Sequence, residues 1–334
     1  MDFLSDYYVR NQTDDTLVVS GGIVICWILC VVTVFGNSLV ILAFITEKSL
    51  RSNPANLFIL NLSGADFLTG AFSFPLFTLW LMFGTWPFGE GVCKMWLIVN
   101  YTACGISVCA IIFISLDRYW MLKMKLKYRQ FQTTKRVTVM IIVSWVFILP
   151  LNIILIVFWE KFSGEHVIDY SIICDTGYYN NLTNVFVQFI IPLAAIIFLN
   201  CAVYNEIRHR TRTNPSVNSN RSIVQATSNR LSVTAASSVS TRRNVNTTIS
   251  STGRHRKAAF TLTILVSVFA VCWTPHNIVL IWRVVSEDLT DYTVWQVVTY
   301  LLWSNSAINP FLYALTNLKI REVFYKFFGL KCFK

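Results

Sequence analysis

Seven long apolar segments restrict the folds that are open to this chain. They lie at about 18–46, 54–83, 92–121, 137–159, 182–207, 257–285 and 293–315. A bilayer core about 30 Å thick is crossed by roughly 20 apolar residues in an α-helix. Because lipid offers no partner to open backbone groups, such segments must be helical. The alternating segments of about ten residues that are typical of a β-barrel are absent. The sequence therefore predicts an all-α membrane protein with seven transmembrane helices.

The small amount of charge excludes most classes of soluble protein. Charged residues make up 13% of the 334 residues, whereas soluble domains carry about 25%. The excess is basic, with a net charge of +11. In a soluble protein such an excess would favour nucleic-acid binding, but in a membrane protein it reports topology. No fold signal supports nucleic acid as a partner, and membrane lipid is the expected surrounding.

The basic residues fall on one side of the predicted bundle. With the N-terminus outside, the stretches 47–53, 118–136, 208–257 and 316–334 face the cytoplasm and hold 24 of the 28 Lys and Arg residues. Twelve of the 17 acidic residues fall on the opposite side. The positive-inside rule then predicts an extracellular N-terminus and a cytoplasmic C-terminus. No cleavable signal peptide is evident, so we expect the first helix to act as the insertion signal.

This topology divides the chain into three parts. Residues 1–17 form an extracellular tail, 18–315 the transmembrane domain, and 316–334 an amphipathic helix with the cytoplasmic tail. Within the domain, 210–253 is rich in Ser, Thr, Asn and Arg and almost free of aromatic residues. That composition predicts a disordered third cytoplasmic loop.

The tail carries an amphipathic pattern. Apolar residues alternate with basic ones at helical spacing, namely Ile320, Val323, Phe324, Phe327 and Phe328 with Lys319, Arg321 and Lys326. The spacing predicts a short eighth helix that lies on the inner leaflet.

Polar side chains at membrane depth are few, and they mark function by default because their burial in lipid is costly. Asp66 is the only carboxylate in the middle of a predicted span. Ser107 in the third segment and Asn305 and Asn309 in the seventh can reach the same depth. Carboxylate, hydroxyl and amide oxygens suit a small hard cation, and Na⁺ is favoured over Mg²⁺ by so sparse a set. The alternative is a protonated or hydrogen-bonded Asp66 that only ties helices together.

Two further groups of residues lie in or beside the spans. Five helix-interior prolines permit kinks because each removes a backbone hydrogen bond, although many such prolines are only packing features. They are Pro75, Pro150, Pro192, Pro275 and Pro310. The other group is Asp117-Arg118-Tyr119 at the cytoplasmic end of the third segment. Arg118 can pair with Asp117 in one state and with another partner in a second.

Taken together, the motifs resemble those of the rhodopsin-like (class A) G-protein-coupled receptors over about residues 18–330. The matching positions are Gly36-Asn37, Leu62 to Asp66, Asp117-Arg118-Tyr119, Trp145, Pro192, Cys272-Trp273-Thr274-Pro275 and Asn309-Pro310-Phe311-Leu312-Tyr313. The resemblance implies a receptor of the plasma membrane, not an enzyme, that transmits binding of an extracellular small molecule to heterotrimeric G proteins. It also implies a disulfide between Cys93 and Cys174, which suits the oxidising outer face.

The same resemblance assigns roles in switching. Phe269 and Trp273, near the Pro275 kink, would pass a change at the ligand inward, and outward motion of the sixth helix would open a groove for the G protein. The predicted switch set is Asp117, Arg118, Tyr119, Phe269, Pro275, Pro310 and Tyr313. No cofactor is expected apart from a sodium ion at Asp66, Ser107, Asn305 and Asn309, which in such receptors favours the inactive state.

Within the family the sequence resembles the aminergic branch, and in it the third and fourth histamine receptor subtypes. Trp303 and Asn200 are the more specific matches, and Tyr101 and Cys104 agree with that group. Asn277 is more reminiscent of muscarinic receptors, so a muscarinic-like receptor stays open. The resemblance implies histamine or another amine as ligand and a G protein of the Gi/o group.

Three departures affect the predicted ligand pocket. The Asp that anchors the ligand ammonium in amine receptors is Asn100 here, the Glu of the histamine subtypes is Gln188, and a pocket Tyr is His276. Since a buried ammonium needs an opposite charge, these changes predict a neutral or less cationic ligand. An orphan or constitutively active receptor-like protein is the alternative. The predicted ligand-binding set is Asn100, Tyr101, Cys104, Asn184, Gln188, Trp273, His276, Asn277, Thr299 and Trp303.

Another departure lies at the inner end of the sixth segment. Many relatives place an acidic residue there to hold Arg118, whereas this chain has Arg254-His255-Arg256-Lys257. We therefore expect appreciable ligand-independent signalling. Predicted modification sites are glycosylation at Asn11 and Asn181 and palmitoylation at Cys332.

Overall fold

The computed structural model describes residues 16–158, 182–213, 263–283, 285–286 and 292–329. Eight helices form the main architecture of this part of the chain, and it contains no strand. They are α1 (Thr16–Thr46), α2 (Asn56–Phe83), α3 (Gly89–Met124), α4 (Thr134–Val157), α5 (Leu182–His209), α6 (Thr263–Arg283), α7 (Tyr292–Thr316) and α8 (Leu318–Phe327). Short helical turns at Lys48–Arg51 and Tyr128–Phe131 lie in the connections.

The part of each predicted span that the structure describes is helical. Helices α1 to α6 are long and apolar enough to cross a membrane. Helix α7 is 25 residues long and free of Asp, Glu, Lys and Arg, but its Asn and Ser residues make it less apolar. The helix that includes α5 continues to Thr213, four residues into the predicted loop 210–253, because Arg is a good helix former. The rest of that loop lies outside the described residues.

Helix α3 lies at the centre of the described bundle. It contacts α2, α4 and α5, while α1 packs between α2 and α7. Helix α4 is the most peripheral, with Val146 and Phe147 more than 60% exposed. In a membrane that apolar surface faces lipid, so the polar groups of α2, α3 and α7 are turned toward one another.

Two of the helix-interior prolines follow a widened turn. The π-helical segments Thr69–Ser73 and Val185–Ile190 end just before Pro75 and Pro192. A proline ring crowds the carbonyl one turn back and supplies no N–H, and a π-turn is one way for the helix to accommodate this. Pro150 and Pro310, by contrast, stand within α-helical segments.

The amphipathic eighth helix is confirmed. Asn317 caps α8 by accepting a hydrogen bond from the backbone N–H of Lys319 at 3.0 Å. Ile320 and Val323 are buried against the bundle. Phe327 makes an edge contact with Phe35 of α1, with ring centroids 5.3 Å apart. These contacts fix α8 across the end of α1.

Candidate ligand site and internal switch

The two ends of the bundle are named here by their residues. The end that carries Trp86 and Arg283 is the outer end, and the end that carries Asp117 and α8 is the inner end. The names follow the orientation that the charge distribution predicts.

Asp66 is the centre of a buried polar cluster midway along the bundle. Its Oδ1 accepts hydrogen bonds from Ser107 at 3.2 Å and Ser306 at 2.8 Å. Its Oδ2 accepts one from Asn309 Nδ2 at 2.8 Å. The side chain is fully buried, so these three donors replace the water that the carboxylate loses. Helices α2, α3 and α7 are thereby joined at one point.

Two members of the Asp66 cluster differ from the sequence prediction. Asn305 makes no hydrogen bond to Asp66, and its Oδ1 is buried without a partner in the described part of the chain. Ser306 makes the contact with Asp66 that was predicted for Asn305, and the sequence prediction did not include Ser306. The signal was available, because Ser306 precedes Asn309 by three residues and lies on the same helix face.

The inner end holds a second buried carboxylate. Asp117 Oδ1 accepts hydrogen bonds from the Tyr128 hydroxyl at 2.7 Å and from Gln132 Nε2 at 2.8 Å. Both donors come from the connection between α3 and α4. Burial, and then the adjacent Asp117 carboxylate, raise the pKa of Tyr128, so the phenol stays a donor. We refer to Asp117, Tyr128 and Gln132 as the inner latch.

The predicted pairing of Arg118 with Asp117 is not present in this structure. Arg118 instead directs one guanidinium nitrogen to Met121 Sδ at 3.8 Å, and no ion pair joins it to Asp117 within the described residues. The loop donors occupy Asp117 in its place. Tyr128 and Gln132 were missed because they lie in a loop, where no periodicity indicates which side chains point inward.

Cation–π contacts hold the loop that bears the latch. The Arg136 guanidinium carbon lies 3.6 Å from the ring centroid of Phe131 and 4.9 Å from that of Trp120. Thr133 caps α4 by accepting a hydrogen bond from the Arg136 backbone N–H. The side chain that starts α4 therefore clamps the loop to α3.

Phe269 and Trp273 form a tilted pair of rings inside α6, with an interplanar angle of 35°. Their ring centroids are 4.9 Å apart, and both side chains are buried. Trp273 Nε1 is a buried donor without a partner among the described residues. Asn277 donates its side-chain N–H to the Trp273 carbonyl, near Pro275, so its amide nitrogen is engaged by its own helix.

The two amides that stand in place of the acidic ligand anchors, Asn100 and Gln188, differ in their hydrogen bonding. Asn100 Oδ1 on α3 is buried and accepts no hydrogen bond in the described part of the chain. Gln188 Nε2 donates to Asn184 Oδ1 at 3.1 Å within the irregular start of α5. Asn100 therefore offers a free acceptor, whereas Gln188 and Asn184 satisfy part of each other.

Aromatic walls close the outer half. Trp303 of α7 is buried and meets Phe74 and Phe77 of α2 edge-on, with centroids 4.9 and 4.8 Å apart. Tyr101 of α3 packs against the same aromatic cluster, while Cys104, one turn further inward, packs against the core that holds Trp273. Trp303, Phe74 and Phe77 therefore form an aromatic wall of the outer half.

Helices α6 and α7 meet through polar groups near the outer end. His276 Nδ1 and Thr299 Oγ1 are 3.4 Å apart. The His276 ring lies 4.8 Å from the ring of Trp295, and the Arg283 guanidinium lies 4.5 Å from the same ring. Trp295 and Arg283 were not in the predicted ligand set.

Several predicted sites lie partly or wholly outside the described residues. Cys93 is disulfide-bonded, but its partner is not described, so pairing with Cys174 stays a prediction. The other described cysteines are free thiols. The undescribed sites are Asn11, Asn181, Cys332 and 254–257.

Comparisons with known proteins identify the family. Residues 36–313 match the family described as 7 transmembrane receptor (rhodopsin family). The Homo sapiens histamine H4 receptor is 30% identical over 89% of this chain and 88% of its own length. The 5-hydroxytryptamine receptor 1B is 26% identical in Equus caballus, over 93% and 86%, and in Homo sapiens, over 91% and 85%. The chain belongs to the rhodopsin family of seven-transmembrane receptors.

This membership confirms the main functional prediction. The chain is a multi-pass membrane receptor of the G-protein-coupled class, and its relatives include receptors named for histamine and for 5-hydroxytryptamine. Those relatives are receptors, not enzymes. The likeness to muscarinic receptors stays a prediction.

Proposed function

We propose that this receptor lies in the plasma membrane with its N-terminus outside, binds a small molecule in its outer half and activates a G protein of the Gi/o group. The charge distribution supports the orientation, since 24 of the 28 basic residues fall on the predicted inner side. Histamine and 5-hydroxytryptamine receptors among its relatives support a small-molecule ligand. The Gi/o partner follows from the resemblance to the histamine subtypes.

The observation that carries our proposal for the ligand is the state of Asn100. Its Oδ1 is buried without a partner, and a neutral amide cannot balance a buried ammonium. Among the described residues of the outer half, the only carboxylate is Glu90, which pairs with Lys94. The ligand therefore donates an N–H or O–H to Asn100 without needing a positive charge there.

The mechanism is a shift between two conformations. A ligand among Asn100, Trp273, His276 and Trp303 favours the state that it binds more tightly. The Phe269–Trp273 pair lies beside the Pro275 kink, where a small rearrangement of rings is converted into motion of α6. Outward movement of α6 opens an inner groove that receives a helix of the G protein.

A sodium ion at Asp66 is part of the proposal. The donor set fits a small hard cation, because it combines a carboxylate and two hydroxyls with Asn305 Oδ1, a buried acceptor that has no partner in the described part of the chain. Asp66, Ser107, Ser306 and Asn305 would hold the ion. Its charge would stabilise the ionised carboxylate and thereby the inactive arrangement of α2, α3 and α7.

A second candidate is a receptor that signals without a ligand. Arg118 has no ionic partner within the described residues, and the sequence at 254–257 offers only basic and His side chains. The inner latch engages Asp117 and leaves Arg118 uncommitted. Basal G-protein activation no higher than in mock-transfected cells, at matched surface expression, would rule this candidate out.

Dose–response measurements on the unmodified receptor test the proposal. We expect histamine, 5-hydroxytryptamine and acetylcholine to be weak agonists or inactive in a Gi/o activation assay. A potent response to histamine or 5-hydroxytryptamine would contradict the proposed ligand class. A potent response to acetylcholine would contradict it as well and favour the muscarinic-like alternative.

A further inference from the structure

The outer ends of α6 and α7 hold a cationic and hydrogen-bonding column. It consists of Arg283, Trp295, His276 and Thr299, and we call it the outer column. Arg283 and His276 contact the same Trp295 ring at 4.5 and 4.8 Å, and Thr299 Oγ1 reaches His276 Nδ1 at 3.4 Å. The indole therefore joins a guanidinium to an imidazole–hydroxyl pair.

The α6 side of the column faces away from lipid. Val271, Ile278 and Trp282 are 63%, 59% and 61% exposed and mark the lipid-facing side of α6. His276 and Arg283 are both partly buried. They are seven residues apart, about two turns, so they lie on one face of α6, and this face is not the lipid-facing side.

The α7 side of the column also faces the interior of the bundle and not the lipid. Trp295, Thr299 and Trp303 are spaced by four residues and share one face of α7. Thr299 and Trp303 are buried, whereas Val294 and Val297 are exposed on the other side. The column thus continues toward the aromatic wall at Trp303.

The charge of the column is not balanced by a described carboxylate. Glu90, the only described acid of the outer half, lies on α3 and pairs with Lys94. The indole of Trp295 covers one face of the Arg283 guanidinium, which leaves the N–H groups along its edge to bind an anion in a fork geometry. Helical side chains lean toward the N-terminus of their helix, and in α6 the N-terminus lies toward the inner end of the bundle. The Arg283 side chain therefore leans from the outer end toward the ligand region.

We propose that Arg283 binds a carboxylate of the ligand, with His276 and Thr299 as neighbouring hydrogen-bonding groups. The ligand is then a small aromatic acid or zwitterion whose ring points toward Trp273 and Asn100. This inference rests on the proposed function. In an amine receptor a receptor carboxylate binds the ligand cation, whereas here a receptor cation binds the ligand carboxylate. A paired Arg–carboxylate contact is the stronger kind of hydrogen bond and suits a site open to water on one side.

Two pairs of probes test this directly. Imidazole-4-acetate and histamine share one ring, and indole-3-acetate and tryptamine share another, and in each pair the acid carries a carboxylate where the amine carries an aminomethyl group. Binding is measured by the thermal stability of the purified full-length receptor. We expect at least one carboxylate to stabilise the receptor more than its amine counterpart. Arg283→Gln should weaken that binding by about 10- to 100-fold, whereas Lys94→Gln, the matched outer control, should leave it unchanged.

The opposite results would overturn the inference. These are the absence of stabilisation by either carboxylate, or equal affinity in the receptor and in Arg283→Gln. A further control concerns Glu287, which follows Arg283 by four residues and lies outside the described residues. Since its carboxylate could neutralise Arg283, Glu287→Gln is also measured. Carboxylate binding that occurs only in Glu287→Gln would mean that the native Arg283 is already neutralised, and it would overturn the inference as well. Gi/o activation of the unmodified receptor, with and without the carboxylates, is recorded in parallel. A receptor that couples but ignores carboxylates contradicts this inference alone, and one that binds carboxylates but never couples contradicts the proposed function alone.

Discussion

The carboxylate sites at Asp66 and Asp117 and the ligand region around Asn100 and Trp273 differ in how these particular buried groups are hydrogen-bonded. Inward of the ligand region, Asp66 accepts three hydrogen bonds and Asp117 accepts two, all from side chains of the receptor. Both bonds to Asp117 are made to Oδ1, and its Oδ2 has no partner among the described residues. In the outer half, Asn100 Oδ1 and Trp273 Nε1 are buried without partners among the described residues. Buried polar groups are normally satisfied, and the exceptions call for an explanation.

The difference separates groups that hold the receptor together from groups that wait for a ligand. A buried carboxylate with several donors stabilises a particular arrangement of helices, because removing it leaves each donor unsatisfied. An acceptor without a partner contributes little to the unliganded state. Mutations at the carboxylate sites and in the ligand region should therefore affect different measurements.

The largest effect is expected at Asp66. Asp66→Ala leaves the donors of Ser107, Ser306 and Asn309 unsatisfied, at about 1–3 kcal/mol each. Asn100→Ala removes an acceptor that has no partner to lose. We predict a large fall in the thermal stability of the purified receptor for Asp66→Ala and little change for Asn100→Ala. The reverse order would remove the distinction between the carboxylate sites and the ligand region.

The same receptor preparations test the sodium proposal. Replacing potassium by sodium at constant ionic strength should stabilise the unmodified receptor and not Asp66→Asn, which keeps the size of the side chain but not its charge. Equal stabilisation of both proteins would show that Asp66 holds no ion.

The second effect concerns the inner latch. Tyr128→Phe removes one of the two donors to Asp117, a bond to a charged group worth about 1.5–3 kcal/mol. Because Asp117 is then freer to pair with Arg118, we predict a fall in basal G-protein activation of about tenfold. Tyr204→Phe, on the exposed side of α5, serves as the control. Basal activity equal to that of the control would show that the latch does not affect the equilibrium.

A smaller effect is expected from the clamp on the latch loop. Arg136→Ala removes the cation–π contacts with Phe131 and Trp120, worth roughly 0.5–1 kcal/mol. Basal activation should change in the same direction as in Tyr128→Phe, but by less than about fivefold. Arg129→Ala, an exposed Arg of the same loop, should be silent in this assay.

The smallest effect is expected at an exposed ion pair. Lys326 Nζ and Glu47 Oε1 are 3.9 Å apart, and Lys326 is largely exposed. Surface pairs of this kind contribute little. Lys326→Gln should leave both thermal stability and basal activation unchanged. A measurable loss would mean that exposed charge matters to this receptor as much as the buried network does.

The sequence predicted the helices well because lipid imposes length and polarity on every span. It predicted Asp66 as the centre of a buried polar cluster, since a lone carboxylate among apolar residues is conspicuous. It did not predict the inner latch, because Tyr128 and Gln132 reach Asp117 through a loop whose shape depends on tertiary contacts. It also missed Trp295, whose role depends on how α6 and α7 face each other. The prolines marked irregular points of α2 and α5, but whether they take the form of kinks or π-turns is decided by packing.

The most direct test of the central claim restores the missing charges. In Asn100→Asp and Asn100→Asp/Gln188→Glu, the potency of histamine in a Gi/o activation assay is compared with that in the unmodified receptor. Gln296→Glu, a buried amide of α7, is the control at matched surface expression. We predict that Asn100→Asp raises amine potency by on the order of 100-fold, since a buried ammonium gains an opposite charge, and that the control does not. No gain in either variant would contradict the account that the amides define the ligand class of this receptor.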